Sequence, residues 1–292
     1  MPLDFRRMDE AMKLGYPAAD YYGVYAVEKD EVQSVVRVLR VPYTMNDGTE
    51  EAVSAIQGVV TRREHSRAGL ARKLLAEVHQ REASFGNRFV MLWTGHGLVA
   101  HNLYSSKGYV DVFTPMLAMR ELGPSRKRSE EYKIRPAKAG DAETIERIHS
   151  EATKGRVGFT PRAKGNVRAL FRLGQVKPSS LHLVLSGEEP VAYFQVQKGP
   201  GWVRSDEVVM KPGIQAERIL STLESEYANG WLIILGTFAH DSQTLLKKQG
   251  YLITDHSYFG LLARALDKSR RNVREEIGVD RPSFTCHFLD YF

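Results

Sequence analysis

The stretch Gln57 to Leu75, QGVVTRREHSRAGLARKLL, decides how this chain is read. Ile56, Val59 and Val60 form an apolar run with the character of a strand end, and the polar residues Arg62 to Arg67 follow. Leu70, Leu74 and Val78 then recur at i, i+4 and i+8, which predicts one face of a helix. A strand that passes through a small-residue turn into a helix N-terminus makes an anion site. The first N–H groups of the helix have no internal partners, and the helix dipole is positive at that end. Gly69 allows backbone to approach a ligand where a side chain would stand in the way. These residues point to a phosphate or pyrophosphate and leave open which of the two.

Working outward, residues 4–16 are expected to form a short helix around Phe5, Met8 and Met12. Tyr22 to Val27 and Val32 to Val41 read as two strands about the polar turn Glu28-Lys29-Asp30-Glu31. Asn46-Asp47-Gly48 is a turn, and Glu51 to Thr61 is the strand that enters the deciding stretch. The helix is predicted to run to Ser84 and to stop at Gly86-Asn87. Arg88 to Trp93 is a further strand, Thr94 to Gly97 a loop, Leu98 to Lys107 a short helix, and Tyr109 to Met119 one or two strands.

The pattern V-x-T-x-x-E-H-x-x-x-G-x-A-x-x-L-L from Val59 to Leu75 resembles motif A of the GCN5-related N-acetyltransferases (GNAT). In that family Q/R-x-x-G-x-G/A follows a strand, and its amides hold the pyrophosphate of acetyl-coenzyme A. Gly69 and Ala71 match; Ser66 stands where the family prefers Gln or Arg. A second stretch, Ala100 to Tyr109, resembles the family's A-x-x-L-Y-x-x-x-G-F/Y, although Gly97 occupies a position that is often Asn. The resemblance implies an α/β (α+β) fold with a mixed, mostly antiparallel sheet flanked by helices. It implies acetyl-CoA as co-substrate, held by Val59, Val60, Thr61, Arg67, Ala68, Gly69, Leu70, Ala71, Arg72 and Asn102. It also implies that the Tyr104 hydroxyl reaches the coenzyme A sulfur. The metal ligand set is expected to be empty.

At 292 residues the chain is long enough for about two domains. Hydrophobic content of 42% and charged content of 26% suit a globular protein that meets water. No apolar run approaches the roughly 18 residues that span a membrane. The opening MPLDFRRMDEAMK has no apolar core of a signal sequence, so a cytoplasmic setting is expected. A single cysteine, Cys286, excludes an internal disulfide and a thiolate zinc cluster, and its apolar surroundings SFTCHFL predict a small core residue. The net charge of +6 suits an anionic ligand without choosing among them.

After Glu121 to Glu131, a charged stretch with Gly and Pro that reads as a linker, the scaffold signals return. Tyr132 to Pro136 reads as a strand, Asp141 as an N-cap, and Ile145 and Ile148 as a helix face; this looks like the opening of a second GNAT domain. Ala71-Arg72-Lys73-Leu74-Leu75 aligns with Ala216-Glu217-Arg218-Ile219-Leu220, and Gly108-Tyr109 with Gly250-Tyr251. The second turn, Lys211 to Gln215, puts Ile214 in the place of Gly69, and Leu246 takes the place of Tyr104. We therefore expect tandem GNAT-like domains: 1–122 with the acetyl-CoA loop, a linker at 123–131, and a degenerate domain at 132–266. Residues 267–292 are expected to add a helix and a strand, Ser283 to Phe292, packing on the first domain. Residues 151–180 carry Lys154, Arg156, Arg162, Lys164, Arg168, Arg172 and Lys177 against one acid, Glu151. A solvated face is the first reading of that segment and a contact for RNA or coenzyme phosphates the second.

The resemblance implies direct transfer of an acetyl group from the thioester to a primary amine of a small molecule or protein. The departing thiolate needs a proton or a strong donor, which Tyr104 can supply. Glu50, Glu51, His96 and the free carboxylate of Phe292 are the candidates for the base. His65 and His101 read as loop and helix-surface residues. Two alternatives stay open: transfer from aminoacyl-tRNA, against which an intact coenzyme A loop argues, and a coenzyme A-binding sensor without chemistry, against which Tyr104 argues.

Overall fold

The computed structural model describes residues 7–18, 20–124, 131–236, 240–254, 258–267 and 272–287. In chain order the helices are α1 (Met8–Lys13), α2 (Leu70–Ser84), α3 (Val99–Ser105), α4 (Ala142–Thr153), α5 (Asn166–Arg172), α6 (Ala216–Glu226), α7 (His240–Lys248) and α8 (Val273–Ile277). The strands of the first half are β1 (Asp20–Glu28), β2 (Glu31–Thr44), β3 (Glu50–Thr61), β4 (Phe89–Gly95), β5 (Val110–Phe113) and β6 (Met116–Leu122). Those of the second are β7 (Tyr132–Pro136), β8 (Leu181–Ser186), β9 (Glu189–Gly199), β10 (Trp202–Met210), β11 (Gly230–Gly236), β12 (Leu252–Thr254) and β13 (Phe259–Ala265).

These strands build two sheets, in the orders β1-β2-β3-β4-β13-β5 and β12-β6-β11-β10-β9-β8-β7. Each sheet therefore takes one strand from the other half of the chain. β13 pairs with β4 from Phe259–Gly95 to Ala265–Phe89 and on its other side with β5. β6 lies in the same way between β11 and β12. The linker expected at 123–131 thus joins β6 to β7, two strands of one sheet.

Both sheets are covered on both faces. In β2, Val36 and Val38 point one way and Leu39, Val41 and Tyr43 the other, the period-two alternation of a strand buried on both sides. Val36, Val38, Ile56, Val90, Leu92 and Leu262 pack under Leu74, Leu75 and Val78 of α2 and Tyr104 of α3. On the opposite face Leu39, Val53, Phe89, Met91 and Leu261 meet Met8 and Ala11 of α1, Val273 and Ile277 of α8, and Phe284 and Cys286. The second sheet holds α6 and α7 on one face and α4 and α5 on the other.

Three expectations change here. Among the described residues, 283–287 form no strand beyond one bridge from Phe284 to Val157, and the strand that completes the first sheet is β13. Val273, Ile277, Phe284 and the buried Cys286 of the C-terminal segment pack into the cluster on the first sheet. Asp141 stands at the N-cap of α4 as expected, but its side chain makes no cap hydrogen bond to that helix. Its carboxylate accepts from Arg135 at 2.7 and 2.8 Å and from the Lys138 amide at 2.7 Å, because a guanidinium fork offers two parallel charge-assisted bonds that one helix amide cannot match. The basic run at 151–180 is partly neutralised. Arg162 is buried against Glu207, while Arg168 pairs with Glu143 and Arg172 with Glu10.

Candidate active site

The parallel strands β3 and β4 pair only through Ser54–Val90 and Ala55–Met91. β3 nevertheless continues to Thr61 and β4 to Gly95, so the two part beyond Ala55 and Met91 and leave a wedge-shaped cleft. At the parting point the register between β2 and β3 shifts: Arg37 faces Gly58 and Val38 faces Ile56, leaving Gln57 as the extra residue of a bulge. Ile56 and Val59 on one wall and Leu92 on the other belong to the cluster that also holds Tyr104. The exposed Val60 and half-buried Thr61 bring the chain to the loop above the cleft.

That loop is a short 3-10 turn, Arg63–His65, followed by two residues with left-handed backbone, Arg67 at φ 64° and Gly69 at φ 78°. Gly69 is the N-cap of α2 and offers no side-chain cap, and open space lies where its side chain would be. The amides of Leu70, Ala71 and Arg72 open the helix and have no intrahelical acceptor. No acid lies in the first turn, while Arg63, Arg67, Arg72 and Lys73 are exposed around it, together with Arg62, whose guanidinium pairs with Glu31 at 2.6 Å. Aligned N–H groups, the positive end of a 15-residue helix and a ring of cations make a cradle for a polyanion. Residues 59–61 and 67–72 thus lie at the end of β3 and in the loop that opens α2. Asn102 stands apart: it is exposed, two residues and so about 200° around α3 from Tyr104.

Tyr104 is 7% exposed, its ring edge-on to that of Tyr109 at 5.7 Å. Burial pushes its hydroxyl up to about 12, so it keeps its proton at neutral pH and is a donor. α3 is held from beneath by a buried chain of bonds that sequence reading did not foresee. Arg264, on the exchanged strand β13, donates to His79 Nδ1 at 2.8 Å, and to the Lys107 carbonyl. His79 must then carry its proton on Nε2, which donates to the Tyr109 hydroxyl at 2.9 Å. Burial, helped by the charges of Arg264 and Lys107, lowers the His79 pKa to about 4 and keeps the ring neutral. The only signal for this chain was the aromatic at Tyr109 after Gly108, whose positive φ of 80° ends α3.

The candidate bases divide. Glu51 is clamped by Arg88 at 2.6 and 2.9 Å, and Arg88 also reaches Glu276 of α8. Glu50 and Glu51 open β3, on the far side of the Ser54–Val90 pairing from the cleft. His96 follows β4 directly, beside α3, with its Nε2 3.1 Å from Asp111. Phe292 lies outside the described residues. In the second half, α6 opens after Lys211 to Gln215 with Glu217 in its first turn, and Ile214 packs into the core beside the helix start.

Residues 3–110 match the family model described as an acetyltransferase (GNAT) domain. A search of curated protein sequences returns no match. Among solved structures the fold is similar to a conserved protein of Enterococcus faecalis described as "Probable N-Acyltransferase", with 15% identity, a TM-score of 0.66, and 91% of this chain on 72% of that one. It is also similar to a GCN5-related N-acetyltransferase of Kribbella flavida, with 17% identity, a TM-score of 0.63, and 90% of this chain on 63% of that one. A tandem GNAT protein from the clavulanic acid biosynthesis pathway aligns with 11% identity and a TM-score of 0.54 over 90% of this chain and 88% of its own. At these identities the likeness is one of fold.

Proposed function

The chain has a tandem GNAT fold with a GNAT acetyltransferase domain in its first half, and from that premise we propose that it is an acetyl-CoA-dependent N-acetyltransferase acting through this half. The observation that carries the proposal is the cradle at Gly69 standing over the cleft between β3 and β4. A pyrophosphate would be held by the amides of residues 67–72, with Arg62, Arg63, Arg67 and Arg72 meeting its charge and the adenosine phosphates. The pantetheine arm would run down between Val59–Thr61 and Leu92, past the bulge at Gln57.

Tyr104 would supply the chemistry. A neutral amine of a small molecule or protein attacks the thioester carbonyl and forms the carbon–nitrogen bond; the carbon–sulfur bond then breaks with its electron pair leaving on sulfur, and the nitrogen gives up its extra proton to water or a base. A protonated hydroxyl with a pKa pushed up to about 12 can donate a hydrogen bond to that thiolate or transfer its proton. The interaction strengthens as charge builds on sulfur, so it lowers the barrier rather than tightening the ground state. Release of free thiol from acetyl-CoA across a panel of primary amines tests the reading. An amine-dependent rate supports it; coenzyme A binding with no turnover on any amine would favour a sensor. Tight binding of aminoacyl-tRNA in place of acetyl-CoA would favour aminoacyl transfer.

A further inference from the structure

Beside the cleft, three potential ligands converge from three different elements. His96 lies in the turn after β4, His101 in the first turn of α3, and Asp111 on β5. The His96 Nε2 is 3.1 Å from Asp111 Oδ1, and the His101 Nε2 is 3.1 and 3.0 Å from Oδ1 and Oδ2 of the same carboxylate. All three ligand atoms lie within 4.8 Å of one another, and the two imidazole rings stand edge to face with centroids 5.4 Å apart. The group is half-open to solvent: the side chains are 33%, 19% and 44% exposed. Beside the His96 Nε2 is Gly260 of β13, where a Cβ would come within 2.6 Å of that nitrogen.

We propose that His96, His101 and Asp111 bind a divalent transition-metal ion of the zinc type. Nitrogen and oxygen donors bind such an ion at about 2.0–2.2 Å, so neighbouring ligands on a tetrahedron stand about 3.4 Å apart. Two edges of the triangle are already near that length, and the third is within 4.8 Å. Two imidazoles with one carboxylate select a borderline ion over Mg²⁺ or Ca²⁺, which prefer all-oxygen shells. Three protein ligands leave at least one position for water or an exogenous ligand. The ion would tie the start of α3, one turn before Tyr104, to β5 and to the turn after β4. The inference rests on no part of the acyl-transfer reading.

The test uses the full chain, stripped with EDTA and titrated calorimetrically with ZnCl₂. One equivalent of Zn²⁺ per chain should bind, and its addition should raise the thermal unfolding midpoint. Asp111→Asn and His101→Gln should each remove both effects while keeping the parent's far-ultraviolet circular dichroism in EDTA. Should a variant fail to fold, Co²⁺ added to the parent should give the visible d–d bands of a low-coordinate nitrogen–oxygen site. No saturable binding by the parent, or binding that survives both substitutions, would show that the three residues form only a hydrogen-bonded cluster.

Discussion

The N-termini of α2 and α6 occupy corresponding places in the two halves and differ in the side chains that an anion would meet there. α2 is entered through a left-handed glycine, is exposed, and is ringed by arginines. α6 is entered through Pro212, a left-handed Gly213 and then Ile214, whose apolar side chain packs at the helix start, and Glu217 lies in its first turn. Below the turns the scaffolds agree. β10 and β11 pair in parallel from Trp202–Trp231 to Ser205–Ile234 and then part, as β3 and β4 do. Beyond that point lies a cavity of about 220 Å³ lined by Val209, Leu220, Leu246 and His287 among others. A cleft between splayed strands is thus a property of the fold, and an anion cradle is a property of a few residues laid over it.

The exchanged strands make the same comparison from the other side. Arg264 on β13 reaches His79, eight residues after Ala71; Arg120 on β6 reaches Glu224, eight residues after Ala216, at 2.8 Å. Each arginine sits beside the tyrosine that follows the turn glycine: Arg264 through His79 with Tyr109, and Arg120 5.8 Å over the ring of Tyr251. Each half therefore depends on the other for a strand and for the arginine on it.

The largest effect is expected from separating the halves. A chain ending at Gly123 would lose β13 and leave β4 and β5 as facing open edges, with the α1 face of the sheet stripped of α8 and Phe284. It should be insoluble or lack a cooperative unfolding transition, whereas co-expression with residues 124–292 should restore a soluble complex. A monomeric, fully active 1–123 fragment would break the reciprocal-exchange account.

Next in size is Tyr104→Phe, which removes one hydroxyl from a packed ring. Folding and coenzyme binding should be unchanged, while turnover falls by about 10²–10⁴-fold, in kcat more than in KM. Leu246 occupies the corresponding place in α7, so Leu246→Ala should lower stability and leave the chemistry of the first half intact in the folded fraction. Parent-rate turnover by Tyr104→Phe with the best amine would make Tyr104 a packing residue.

The smallest effect concerns pH. His79 is held near 4 against an ordinary value near 6.5, so the stability it contributes is complete above 6.5 and is lost as pH falls toward 4. Between pH 7.5 and 5.5 the loss should be about 1 kcal/mol. Urea midpoints should therefore drop more for the parent than for His79→Gln across that interval; equal drops would remove His79 from the acid limb.

Much of this was legible because it is local. The turn into α2 and the end of that helix at Ser84 follow from periodicity and from glycines at fixed places. The exchange was not legible. β6 and β13 are both short apolar strands that follow a turn, and nothing in either says which sheet it will complete; only three-dimensional pairing decides. The Asp141 carboxylate reads as a helix cap until Arg135, six residues earlier in the chain, is folded against it. Of the site, Gly69 and Tyr104 were readable as motif positions, whereas His79 and Arg264 are 185 residues apart and meet only through β13.

The most direct measurement is calorimetric titration of the full chain with coenzyme A, repeated on Gly69→Glu. One site per chain is expected, and it should vanish in the variant, where a carboxylate is placed against the pyrophosphate on a backbone that favours glycine. Two equivalent sites, or a single site that survives Gly69→Glu, would contradict the assignment of coenzyme binding to the first half.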